Sequence, residues 1–136
     1  MNKLKLALAA LLLATGVSHA ATNCDGFKIL VKNNLSEDLI LRKIHLQGGD
    51  IQPAGIKKLD HKSEKTFTIS QALEEGVMKG ELVLNTLTLP SKEIRIQFDL
   101  ENKGLICEHS DYSPNGDLAL TKVRLAGQVN YTINNN

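Results

Sequence analysis

Residues 109–117 are the part of this sequence whose side chains and spacing come closest to a chemical site. Oxygen-bearing side chains stand there at alternate positions: Asp111, Ser113, Asn115 and Asp117. With Gly116 among them, the spacing is similar to the start of an EF-type calcium loop. The twelfth position is Lys122, however, where such a loop needs a bidentate glutamate. Pro-Asn-Gly-Asp is a combination of residues typical of β-turns. The sequence therefore favours a turn here, with calcium binding as the alternative.

With His109 as a further ligand, the alternative metal site could hold divalent ions other than calcium. It lies between Glu108 and Asp111, and three such donors can gather a metal that supports a weak hydrolase. It has no partner at His-x-His or His-x-x-x-His spacing. If Cys107 lies in a strand, Glu108 and His109 point to opposite faces of a sheet. We therefore expect His109 to be a surface histidine, with the metal site on residues 108–117 as the second interpretation.

A second candidate site is a run of basic residues between positions 57 and 65. Its members are Lys57, Lys58, His61, Lys62 and Lys65. Such a loop can dock an anionic partner, such as a lipid headgroup, a polyanionic glycan or an acidic protein surface. Asp60 and Glu64 dilute the charge, so a solvated connector is the simpler interpretation. The loop remains the best candidate for a binding surface because binding residues concentrate on loops held by rigid scaffolds.

Motifs for other kinds of catalysis are missing from the sequence. It has no Gly-x-Ser-x-Gly, no His-Glu-x-x-His and no phosphate-binding glycine loop. No tryptophan, 2 tyrosines and 3 phenylalanines leave few stacking platforms for sugars or single-stranded nucleic acid. Sixteen basic against 15 acidic residues give no global attraction to nucleic acid. The sequence predicts a protein that is not an enzyme, with no cofactor and no nucleic-acid partner.

Residues 1–20 have the features of a cleaved secretory signal peptide of the short bacterial kind. Lys3 and Lys5 give a positive start, an apolar run follows, and Ser18-His19-Ala20 suits a cleavage site. We expect a single mature domain over residues 21–136, secreted or periplasmic, without a later apolar run long enough to span a bilayer. In an oxidising compartment, Cys24 and Cys107 are expected to form one structural disulfide.

Alternation of apolar and polar residues predicts a mainly β domain that can hold these sites. The clearest strand carries Ile94, Ile96, Phe98 and Leu100 at every second position. A phase change between Leu41 and Ile44 indicates a bulge. One short helix is expected near residues 71–75, with Ser70 as its cap and Gly76 as its end. The sequence predicts one antiparallel β-sandwich or small barrel, tied by the disulfide.

The strand layout resembles that of small secreted immunoglobulin-like and pilin-like domains. The resemblance lies in a leading Ile29-x-Val31-x-Asn-Asn strand, a polar turn, a Leu-rich strand and a final strand near residues 127–133. It implies an immunoglobulin-like sandwich and carries over no functional residue.

These features together predict an exported bacterial binding protein without enzymatic activity. It would be a secreted effector or adhesin-like protein, or a periplasmic binder, that recognises a protein, a glycan or an anionic lipid headgroup. Gln128–Ile133 is expected to be an exposed edge strand that would recruit a partner by strand addition. The alternative is the calcium-type or weak hydrolytic metal site at residues 108–117. The oligomeric state is not predicted.

Overall fold

Alternating side chains produce ten strands in the part of the chain that the computed structural model describes, residues 23–136. The strands are β1 (Lys28–Asn33), β2 (Leu39–Gln47), β3 (Asp50–Gln52), β4 (Lys57–Leu59), β5 (Ser63–Ser70), β6 (Val77–Thr86), β7 (Glu93–Asn102), β8 (Cys107–Asp111), β9 (Ala119–Leu125) and β10 (Gln128–Asn134). Residues 23–136 contain no helix with the length and hydrophobicity of a membrane span. The signal peptide expected at residues 1–20 lies outside the described residues.

The strands form two five-stranded sheets that face each other as a sandwich. Sheet 1 has the order β3-β5-β1-β10-β9, and sheet 2 has the order β4-β2-β6-β7-β8. This confirms the mainly β, sandwich-like prediction. Neighbouring strands are antiparallel in both sheets except for β1 and β10, which run parallel. The expectation of a purely antiparallel arrangement was therefore wrong at one pair, where the first and last strands meet.

The core lies between the two sheets, as the alternation predicts. In β7, Ile94, Ile96, Phe98 and Leu100 are all buried, whereas the residues between them face outward. Burying each such side chain stabilises the fold by about 1.5–3 kcal/mol. The pairing of β2 with β6 shifts register between Leu41 and Lys43, which confirms the bulge. Because of the extra residue, Leu41 and Leu46 both reach the core.

The predicted short helix at residues 71–75 is absent, and the segment bends instead. Gln71 has a φ of 51°, which is left-handed and cannot begin a right-handed helix. The backbone N–H of Ala72 donates to Asp25 Oδ1 at 2.8 Å, so this contact with the start of the domain replaces a helix cap. A single turn has little intrinsic stability, and this tertiary contact overrides it.

The predicted disulfide between Cys24 and Cys107 is present, with its Cα atoms 4.8 Å apart. Cys24 precedes β1 in sheet 1, and Cys107 begins β8 in sheet 2, so the bond ties the two sheets together. It spans 83 residues of sequence. Closing a loop of that length stabilises the fold by about 4–5 kcal/mol in the chain-entropy model.

The final strand is not the edge strand that the sequence predicted. β10 lies between β1 and β9 and pairs with both, so its backbone cannot accept a further strand. The exposed edges of sheet 1 in the described chain are β3 and β9. The alternation in β10 correctly indicated one buried face, but alternation carries no information on strand order.

Candidate functional site

The residues considered as metal ligands lie in a hydrogen-bonded network that joins the two sheets. Asp111 and His109 project inward from β8 of sheet 2, and Tyr131 projects inward from β10 of sheet 1. The Tyr131 hydroxyl donates to Asp111 Oδ1 at 2.8 Å, and Ser113 Oγ donates to the same oxygen at 2.7 Å. His109 Nε2 lies 2.9 Å from the Tyr131 hydroxyl. Because that hydroxyl donates to Asp111, His109 Nε2 carries the hydrogen and donates to the tyrosine oxygen.

His109 is not the surface histidine that the sequence favours. As expected, Glu108 and His109 point to opposite faces, but the histidine takes the inner one. Its ring centroid lies 6.1 Å from that of Phe27 and 5.8 Å from that of Phe98. Burial, reinforced by the nearby Arg124 cation, lowers the pKa of His109 to about 4. Burial and Asp111 raise the pKa of Tyr131, so both rings are neutral at pH 7.

The remaining members of the predicted metal set are directed elsewhere. Asp117 Oδ2 accepts a 2.9 Å hydrogen bond from the Glu93 backbone N–H at the start of β7. Ser113 Oγ accepts from the Gln97 backbone N–H at 3.0 Å, and Asn115 is exposed. Among residues 23–136, no three His, Cys, Asp or Glu side chains are grouped to hold a metal. The segment forms an irregular connection from β8 of sheet 2 to β9 of sheet 1.

The basic run is divided between several environments. Lys58 Nζ lies 3.3 Å from Asp38 Oδ2 and 3.5 Å from Asp60 Oδ1. His61 Nδ1 lies 2.9 Å from Asp38 Oδ1. Hydrogen bonds from the His61 backbone and ring, and from Lys58, lower the pKa of Asp38 to about 2. This part of the run is therefore an ion-pair cluster around one carboxylate.

The other lysines of the run do not join that cluster. Lys62 Nζ donates to the Asn34 carbonyl at 2.9 Å. Lys65 is half-buried on β5 opposite the core residue Val31, and Lys57 is half-buried on β4. The run therefore extends from β4 of sheet 2, through the connecting turn, to β5 of sheet 1.

A groove of about 490 Å³ crosses the outer face of sheet 2. We call it the sheet 2 groove, and its principal side chains are His45, Gln47, Lys79, Glu81, Gln97, Asp99 and Tyr112. They form two rows because strand register aligns them across the sheet. His45, Glu81 and Gln97 are paired in one row, and Tyr112 adjoins Gln97 through a 2.7 Å backbone hydrogen bond.

The second row of the sheet 2 groove contains an ion pair. Gln47, Lys79 and Asp99 are register partners, and Ser110 of β8 continues the row. Lys79 Nζ lies 3.5 Å from Asp99 Oδ1. Both rows lie outward because the alternate residues of β6 and β7 fill the core.

Glu81 fixes the floor of the sheet 2 groove. Its carboxylate receives Lys43 Nζ at 2.6 Å, Gln97 Nε2 at 2.7 Å and Arg95 Nη1 at 3.3 Å. The hydrogen bonds from Lys43 and Gln97 are the main causes that lower the pKa of Glu81 to about 2. The carboxylate is therefore ionised at neutral pH and holds the Gln97 carboxamide in place. It is suited to orienting other groups, not to donating a proton.

Tyr112 provides an aromatic side chain at one end of the groove. It is 61% exposed, whereas Phe27, Phe67, Phe98 and Tyr131 are buried. Sequence reasoning passed over it because it lies among the oxygen-bearing residues of the predicted calcium loop. One signal was available: Tyr112 stands outside the apolar positions of any alternating strand, where an aromatic residue has no core to fill.

The sequence was also compared with known proteins. No protein-family model matches it, and no curated protein matches it either.

Proposed function

We propose that this chain is an exported, non-enzymatic binding protein that recognises its partner with the sheet 2 groove. A rigid immunoglobulin-like sandwich would serve as the scaffold for that surface. The observation that carries the proposal is the Glu81 carboxylate, which Lys43, Arg95 and Gln97 hold in one position. A groove whose floor is already ordered loses little conformational entropy on binding.

The position of the groove supports this proposal. Its floor belongs to β6 and β7, which are inner strands of sheet 2 with partners on both sides. The opposite faces of the same strands carry buried residues such as Leu82 and Ile96. Side chains on such strands keep their spacing better than side chains on loops.

The chemistry of the polar network supports binding over catalysis. The Ser113 oxygen accepts the Gln97 N–H and its hydrogen goes to Asp111, so the hydroxyl is committed to structural hydrogen bonds. His109 Nε2 is directed to the Tyr131 hydroxyl, whereas Ser113 is directed to Asp111, so the two do not form a Ser–His pair. Asp111 and Ser113 are engaged in this network and Asp117 accepts from the Glu93 backbone, which favours the binding proposal over the metal alternative.

Export is supported by the signal-peptide features and by the Cys24–Cys107 disulfide, which persists best in an oxidising compartment. The test is to express the full chain in its own host and to compare supernatant and periplasm by immunoblot, beside markers for each. Recovery in either fraction with the disulfide formed supports export. Recovery in the cytosol alone, with free thiols, contradicts it.

The binding surface is tested with a panel of immobilised proteins, glycans and anionic lipid vesicles. We expect the purified chain to bind one class, and the double variant Gln97→Ala/Tyr112→Ala to lose that binding. The matched control is Thr66→Ala/Thr121→Ala, which changes two exposed residues on the outer face of sheet 1. If the groove variant still binds, the sheet 2 groove is not the binding surface. If the native chain binds none of the three classes, the proposed function is contradicted.

A further inference from the structure

We infer that the sheet 2 groove takes a carbohydrate, as a short segment of a neutral oligosaccharide. This inference rests on the proposed function and narrows its partner from three classes to one. The groove is open along the sheet, and its volume of about 490 Å³ falls within the range of small-ligand sites. Its charge, its hydrogen-bonding groups and the exposed ring of Tyr112 each support the same ligand class.

The charges in and around the groove are balanced. Glu81 is neutralised by Lys43 and Arg95, which lie on the same outer face and are more exposed than the carboxylate, and Asp99 is paired with Lys79. No sign of charge dominates, so the groove does not focus a field that would attract a phosphate or a polycation. A neutral ligand has no charge to desolvate when it binds, so it does not need an opposite charge in the groove to compensate for that cost.

The groove offers donors and acceptors that the described protein does not use. The side chains of His45, Gln47 and Tyr112 make no hydrogen bond within residues 23–136. The Gln97 side chain donates from Nε2 to Glu81. This hydrogen bond fixes the orientation of the carboxamide and therefore the direction of its carbonyl oxygen. Lys79 and Asp99 add a donor beside an acceptor. Hydroxyl groups donate and accept at once, so a polyhydroxylated ligand matches this mixture best.

Tyr112 supplies the apolar contact that a sugar requires. Sugar rings present C–H groups on their faces, and an exposed aromatic ring is the side chain that packs against such a face while its hydroxyl stays wet. The ring is 61% exposed and stands at the end of the row formed by His45, Glu81 and Gln97. The low count of aromatic residues does not exclude sugar binding, because Tyr112 is placed at the groove.

The other two partner classes fit this surface less well. Anionic lipid headgroups need converging cations, whereas Lys79 in the groove and Lys43 beside it are engaged by Asp99 and Glu81. Protein interfaces need buried apolar anchors at their centre. The most exposed large apolar side chains, Leu89 and Leu105, lie in the loops that flank β7 and not among the groove residues.

The test is an array of defined glycans, followed by NMR titration of the isotope-labelled chain with each glycan that binds. Triacetylchitotriose, maltotriose and lactose are titrated in every case, up to about 10 mM, which detects Kd values of about 1 mM and tighter. We expect shifts at His45, Gln97 and Tyr112 for at least one glycan. Tyr112→Ala should weaken binding at least about tenfold, whereas Tyr112→Phe retains the ring and most of the affinity.

Two results would overturn the inference. One is a silent array together with no shift from the three oligosaccharides. The other is glycan binding that Tyr112→Ala and Gln97→Ala leave unchanged. If a protein or lipid vesicle of the panel binds through the groove while no glycan does, the carbohydrate inference fails and the proposed function stands. If nothing in the panel binds, both fail.

Discussion

The hydroxyl of Tyr131 donates a 2.8 Å hydrogen bond to Asp111 Oδ1 and thereby connects the core faces of the two sheets. Tyr131 is completely buried on β10, and Asp111 lies at the end of β8. His109 on the other side of the hydroxyl and Lys122 Nζ, 3.7 Å from Asp111 Oδ2, complete the connection. A buried polar group is tolerated when its partners are in place, and the Tyr131 hydroxyl of sheet 1 finds both of its partners on β8 of sheet 2.

Tyr131→Phe should lower the free energy of unfolding by about 1–3 kcal/mol, because it leaves the buried His109 donor without its acceptor. Urea denaturation followed by circular dichroism measures the change. Tyr112→Phe is the matched control, since its hydroxyl makes no protein hydrogen bond in the described chain, and we expect a change within about 0.5 kcal/mol. Equal effects of the two substitutions would show that the network adds no stability.

The lowered pKa of His109 should make stability depend on pH in a defined window. The unfolded histidine takes up a proton as the pH falls below 6.5, but the folded one does so only near pH 4. Because the unfolded state binds more protons between these values, the free energy of unfolding decreases as the pH falls from 6.5 to 4.

His109→Phe should remove that part of the pH dependence while it keeps an aromatic ring between Phe27 and Phe98. The measurement is denaturant unfolding at several pH values from 7 to 4 for both proteins. A histidine resonance that titrates near 6.5 and belongs to His109 would contradict the buried, neutral ring.

Gly80 permits the close approach of the Phe98 ring beneath the groove. A Cβ atom at this position would lie 2.1 Å from Phe98 Cζ, which no side chain can tolerate without movement of the ring. Gly80→Ala should therefore destabilise the fold by about 1–3 kcal/mol through overpacking. Thermal unfolding checks this against Thr66→Ala, an exposed strand position, where we expect almost no change. An unchanged melting temperature would show that the Phe98 ring can move enough to accommodate the added methyl group.

Calcium should leave the melting temperature unchanged at millimolar concentration, as should its removal with EDTA. The reason is that the Asp111, Ser113 and Asp117 oxygens are engaged by protein donors. A ligand that binds only the folded state must raise the melting temperature. If calcium raises the melting temperature and Asp111→Asn abolishes that rise, the metal site is supported instead.

The alternation of side chains predicted most of the fold because burial of one strand face leaves a direct mark on the sequence. It identified β7 and β10, and the phase change around Arg42 identified the bulge in β2. The disulfide followed from two cysteines and the expected compartment. The helix at residues 71–75 could not be excluded, since the contact between Asp25 and Ala72 joins residues that are far apart in sequence.

The sheet 2 groove could not be predicted, because its residues come together only through strand order. His45, Glu81, Gln97 and Tyr112 lie on or beside four different strands. Each is an ordinary outward-facing polar residue when its own strand is considered alone. The same limit explains why the last strand was expected at an edge and why His109 was expected at the surface.

The most direct test of the account is to map the first ligand that the panel identifies onto the protein by NMR. Backbone amide shifts are recorded during titration of the native chain and of Gln97→Ala/Tyr112→Ala. We expect the shifted amides to cluster at His45, Gln97 and Tyr112, and the double variant not to respond. Shifts that cluster on the outer face of sheet 1, or an undiminished response of the double variant, would contradict the assignment of the sheet 2 groove as the binding surface.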